Sequence, residues 1–145
     1  MDADYIAKAS AAALWAEDKA TQGLGATLVS VAPGEAVLRM AVADSMVNGH
    51  GICHGGFIFA LAGSAFAFAA YSRNQRNVAQ TCTITFLAPA KLGDVLIASG
   101  HEIARVGRTG LCDVAVTREG DGMAIAEFRG QSRTIKGELI ASVAP

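Results

Sequence analysis

Residues 48–70 read NGHGICHGGFIFALAGSAFAFAA, a glycine-rich polar loop that runs into an uncharged apolar segment. Gly55 and Gly56 stand where a helix would begin, and glycine there lets a ligand come close to the backbone. The first N–H groups of a helix lack internal partners, and the helix dipole adds about half a positive charge at that end. Such a turn can stabilise a carbonyl oxygen that gains negative charge, as an oxyanion hole does. The amide of Asn48 could hold a water or a substrate oxygen beside it. A purely structural reading competes: a glycine-rich connection in which His50 and His54 only satisfy loop carbonyls.

Other chemistry in the segment is weaker. His50 and His54 have the i, i+4 spacing of helical metal ligands, but the surrounding glycines argue for a loop. No third ligand has suitable spacing, so no metal is expected. Cys53 beside a helix start could carry a lowered pKa and act as a nucleophile, or be a small buried apolar group. A phosphate loop is excluded because its Lys-Ser/Thr ending is absent.

The elements that must position this loop follow from periodicity. Residues 2–22 form an expected helix, with Ile6, Ala9, Ala13 and Ala16 on one face and Gly23 and Gly25 ending it. Residues 27–32 and 36–43 are expected strands joined by Pro33-Gly34-Glu35. The uncharged run over 55–72 is near the lower length limit for a membrane span. Strand patterns on both sides favour a helix buried within a globular core. Residues 78–87 alternate, with Thr81, Thr83 and Thr85 on one face and Cys82, Ile84 and Phe86 on the other. Further strands are expected over 95–106, 109–117 and 123–134, with hairpin turns at Gly107-Arg108 and at 119–122. One helix among six strands argues against a doubly wound parallel sheet. The expected class is α+β: a mostly antiparallel sheet wrapped around a long central apolar helix. Such a sheet covers one side of the helix, leaving its other face and the sheet edges for a partner subunit.

Composition agrees with that picture. Across 145 residues the hydrophobic fraction is 52% and the charged fraction 17%, apolar enough for one domain over 1–145 with some surface hidden between subunits. A net charge of −1 gives no reason to expect nucleic acid or an anionic membrane as partner. Three cysteines at unrelated spacings form neither a disulfide framework nor a zinc pattern, and suit a reducing cytoplasm. The start, MDADYIAKASAAALW, is acidic and lacks the pattern of a signal peptide.

MVNGHGICHGGFIFALAGSAFA (46–67) strongly resembles the PaaI-type thioesterases of phenylacetate degradation. QTCTITFLAPAKLGD (80–94), GRTGLCDV (107–114) and FRGQSRTI (128–135) resemble that family's strand motifs in the same order. The resemblance implies the hotdog fold and hydrolysis of acyl-CoA thioesters, typically phenylacetyl-CoA and its hydroxylated relatives. It also implies assembly as dimers and usually tetramers, with no metal or organic cofactor. The family's water-orienting asparagine matches Asn48, and the glycine whose N–H polarises the thioester carbonyl matches Gly55. The catalytic aspartate, eight residues further on, matches Gly63.

Eight helical residues rise roughly 12 Å, so one thioester cannot touch both positions of a single helix. A second copy must supply its residue 63, which makes dimerisation part of the chemistry. Position 63 here has no side chain, and no Asp or Glu occurs between Asp44 and Asp94. Ser64, His50 and His54 are the stand-ins, though Ser64 points about 100° away around the helix and would itself need a base. Gly63 could instead serve close helix–helix packing in a tight dimer, helped by Ala60, Ala67 and Ala70. The expected activity is an impaired acyl-CoA thioesterase, with a non-catalytic acyl-CoA-binding protein and a structural assembly partner as alternatives. Gly56 and His50 are candidate substrate contacts. Lys91, Arg105 and Arg108 are candidate contacts for CoA phosphates or else solvated surface charges.

Overall fold

A computed structural model describes residues 2–141. The chain opens with α1 (Ala3–Glu17) and a short α2 (Lys19–Gly23), followed by β1 (Thr27–Ala32) and β2 (Glu35–Ala41). A 3₁₀ turn at Asp44–Met46 leads to the loop before α3 (Gly55–Tyr71). Four strands then follow: β3 (Asn77–Phe86), β4 (Val95–Val106), β5 (Thr109–Arg118) and β6 (Ala124–Thr134). The single helix expected over 2–22 is broken at Asp18, whose backbone is not helical (φ −86°, ψ 79°). Its carboxylate accepts the Thr21 N–H at 3.0 Å, so a second helix starts there with its own cap. The buried face of α1 also differs from the expected one. Ala7, Ser10 and Ala11 are buried, with Leu14 and Trp15 packed on the core, because the helix is rotated to lay Trp15 against α3.

The six strands form one sheet in the order β1-β2-β4-β5-β6-β3, with every neighbouring pair antiparallel. α3 lies across the sheet and touches all six strands. Its Ile58, Leu61, Ala65 and Phe66 pack into a core with Leu38, Leu96, Val114 and Phe128. Apart from Ala65, each of these side chains taken from water contributes roughly 1.5–3 kcal/mol. Close approach also needs a gap in the sheet: a Cβ on Gly130 would lie 2.7 Å from the Phe66 ring. Among the described residues, no helix is long and apolar enough to cross a membrane.

The face of α3 turned from the sheet is not left wholly to a partner. α1 brings Trp15 to a ring-centroid distance of 6.3 Å from Phe68, and α2 brings the Thr21 hydroxyl to 2.8 Å from that of Ser64. β3 shows the expected alternation at Cys82 and Ile84, which are half-buried between exposed threonines. Phe86 departs from it and is 50% exposed, because the strand ends there and its ring reaches the start of α3.

Two glycines of opposite surroundings give opposite expectations. Gly130→Ala drives a methyl into the buried Phe66 ring and should destabilise by about 1–3 kcal/mol. A Cβ on Gly63 meets nothing within 4 Å, so Gly63→Ala should stabilise by about 1 kcal/mol. Urea unfolding of both variants measures the two signs.

Candidate active site

The loop before α3 is held by its own polar groups. Asn48 Oδ1 accepts the N–H of His50 at 2.9 Å and of Ile52 at 3.3 Å. Those two bonds identify the amide oxygen, so the donor Nδ2 is the part of Asn48 left for a ligand. Cys53 N–H donates to the Ala90 carbonyl at 2.8 Å, tying the loop to the segment after β3, and His54 N–H to the Met46 carbonyl at 2.7 Å, closing it on the 3₁₀ turn. His54 then caps α3, its Nδ1 accepting the Gly56 N–H at 2.8 Å. The Gly55 N–H donates to no group among the described residues, as the first donor of a helix is free to do.

Asn48 and Gly55 line the same cavity, of about 570 Å³, with Ile52, Cys53, Ile58 and residues 86–90. Its walls are apolar, and the free Gly55 N–H with the Asn48 amide are the polar groups that can orient a carbonyl. A Cβ on Gly55 would sit 2.8 Å from the Phe86 ring, so glycine is what lets that ring border the helix start. Phe86 and Ile52 were absent from the expected site. The β3 alternation signalled Phe86 only as a core residue.

Other expected site residues separate. Gly56 is exposed and its N–H is spent on His54, which removes it as a substrate donor. The same bond occupies His54 Nδ1, so that nitrogen cannot act as a base while it caps the helix. His50 is exposed and does not line the cavity; its backbone serves the Asn48 turn. Cys53 is buried, and burial pushes its thiol up rather than down, against the nucleophile reading. Lys91 is exposed, adjoining the cavity through Pro89 and Ala90. Arg105 is committed elsewhere, pairing with the nearly buried Glu102 at 3.1 Å and bonding Thr134 at 3.1 Å. Arg108 is exposed in the β4–β5 turn, beyond the far end of a strand roughly 35 Å long from the Lys91 end.

Gly63 opens on a second cavity of about 320 Å³, shared with Ala60, Ser64 and Ala67 of α3 and with Asp18, Ala20, Thr21 and Leu24. The two cavities have no lining residue in common. Among the described residues nothing comes within 4 Å of a Cβ placed on Gly63, and Ala70 is buried away from this cavity, so the expected packing stripe is not formed by this chain alone. The cavity also has a carboxylate in its lining. None lies near position 63 in sequence, but Asp18 reaches the same cavity from α2's cap.

A sheet laid on one uncharged helix, with a free glycine N–H at that helix's start, defines a class of protein. The model for the thioesterase superfamily matches residues 50–125, and this chain belongs to that superfamily. It is 38% identical over 130 residues to the acyl-coenzyme A thioesterase PaaI of Escherichia coli, covering 90% of this chain and 92% of that one. The structure of E. coli PaaI, from the phenylacetic acid degradation operon, matches with a TM-score of 0.92 at 36% identity, over 94% of this chain and 99% of the other. A mutant of the phenylacetic acid degradation protein PaaI from Thermus thermophilus matches at 0.78 and 35% identity, over 81% and 100%. A Streptococcus mutans protein bound to acetyl CoA matches at 0.74 and 26% identity, over 78% and 90%. The chain is accordingly a hotdog-fold protein of the PaaI type, a thioester hydrolase at the level of its family.

The burial of Cys53 makes a direct prediction. Iodoacetamide should label it far more slowly in the native protein than in urea, and Cys53→Ala should leave turnover of an acyl-CoA unchanged. Loss of turnover in a folded Cys53→Ala protein would restore the nucleophile reading.

Proposed function

We propose that this chain hydrolyses arylacetyl-CoA thioesters, phenylacetyl-CoA or its hydroxylated relatives, at a site completed by a second copy. The observation that carries the proposal is the free Gly55 N–H beside the Asn48 amide in an apolar cavity of about 570 Å³, a size suited to an aryl-acyl group. In the reaction, Gly55 polarises the carbonyl, Asn48 positions water through Nδ2, and CoA thiolate leaves. Lys91 adjoins this cavity and is the candidate for a CoA phosphate; Arg108 lies at the far end of the protomer and could serve only a neighbouring copy. Residue 63 belongs to the other copy's half of the site. The chain acts as one domain over 1–145, in the cytoplasm, as a homodimer or homotetramer, without a cofactor.

With glycine at position 63 the reaction lacks its nearest base or nucleophile, a loss on the order of 10²–10⁴ in rate. The same glycine favours a second reading, a non-catalytic acyl-CoA-binding protein that keeps the pocket. Nothing blocks a carboxylate there, since a Cβ on Gly63 meets open space. Gly63→Asp should therefore raise kcat by roughly 10²–10⁴, read as thiol release from phenylacetyl-CoA. Background release by a folded, oligomeric Gly63→Asp protein would sink the hydrolase reading. Calorimetry with a non-hydrolysable phenylacetyl-CoA analogue then separates a binding protein, which gives heat, from an assembly partner, which gives none.

A further inference from the structure

Thr21 and Ser64 are 43 residues apart in sequence, yet their hydroxyls meet at 2.8 Å. Thr21 Oγ1 also lies 2.6 Å from Asp18 Oδ2. Proton counting gives this chain of groups a direction. An ionised carboxylate only accepts, so the single Thr21 hydroxyl proton points to Asp18. Thr21 must then accept from Ser64, and Ser64 keeps its lone pairs for a donor in the cavity it lines with Gly63. Capping alone does not explain the arrangement. The cap bond uses Asp18 Oδ1 and the Thr21 N–H, whereas the relay uses Oδ2 and two hydroxyls. Thr21 is 1% exposed, which shields the middle of the chain from bulk water and strengthens its hydrogen bonds.

We propose that Asp18, Thr21 and Ser64 form a proton relay that takes over part of the work of the carboxylate absent at position 63. The proposal rests on the thioesterase reading above. The oxygen of a water in the Gly63 cavity bonds to the thioester carbonyl carbon, and the carbonyl electron pair moves to its oxygen, facing the Gly55 N–H of a second copy. One water proton passes to Ser64 Oγ, the Ser64 proton to Thr21, and the Thr21 proton to Asp18. As the carbonyl re-forms, the C–S bond breaks and the electron pair leaves with sulfur. The proton returns along the same groups to the thiolate, releasing CoA thiol and the acid with all three side chains restored. Ser64 is the catalytic residue of this relay, and Thr21 and Asp18 are positioning residues.

The test is kcat and KM for thiol release from phenylacetyl-CoA by the full chain, Asp18→Asn, Thr21→Val, Thr21→Ser and Gly63→Asp. Asparagine caps a helix as well as aspartate does, so Asp18→Asn keeps α2 while removing the final proton acceptor. Asp18→Asn and Thr21→Val should each lower kcat about a hundredfold with KM unchanged, and Thr21→Ser should restore it. Should Thr21→Val unfold, Asp18→Asn carries the test alone. Unchanged kcat in Asp18→Asn overturns the relay and leaves the thioesterase reading standing, as does an inactive parent chain beside an active Gly63→Asp. Turnover by neither parent nor Gly63→Asp overturns the thioesterase reading and the relay with it.

Discussion

A helix of seventeen residues with no charge anywhere along it cannot face water, and the rest of the structure is arranged around that fact. Six antiparallel strands cover one side of α3, and α1 and α2 come back over the other. The approach is close enough that the sheet must give up a side chain at Gly130 to admit Phe66. Among the cavities this cover leaves, one lies at the start of α3 and another beside Gly63. The burial that holds the fold together therefore also sets where cavities are left beside the helix.

The start of α3 has its own constraint. A helix start exposes donors, and a buried one must satisfy them or offer them to a ligand. His54 takes up the Gly56 N–H, and the N–H of Gly55 remains at the wall of an apolar cavity. Asn48 spends its oxygen on keeping the loop in shape, which turns its role from general polar contact to hydrogen-bond donor. A carbonyl oxygen or a water oxygen has electron pairs to accept with, so either matches a free donor in this apolar pocket.

Much of this could be read in advance because it is local. The β1 and β4 bounds, the apolar helix and the Gly55 start follow from periodicity and from the residues that punctuate it. Elements depart from the periodic pattern where one residue's side chain chooses between two local options. Asp18 closes one helix and opens another, a decision made by its bonds to Thr21 rather than by the run of alanines around it. The same blindness hid Phe86, which reads as one more inward residue of an alternating strand until its ring is seen over Gly55. Arg105 was equally opaque, since a cation beside a turn looks free until Glu102 is found next to it.

The sequence by itself determined the class of fold, the family, the position of the glycine-rich loop before α3 and the absence of a side chain at residue 63. These depend on residue types and on spacings within a single element, where periods of two and 3.6 residues carry the information. Only the tertiary structure decided which groups share a cavity. It separated Arg108 from Lys91, buried Cys53, committed His54 to the helix it caps and brought Asp18 to Ser64 through Thr21. Contacts between distant segments arise from the packing of whole faces against one another, and no sequence spacing records them.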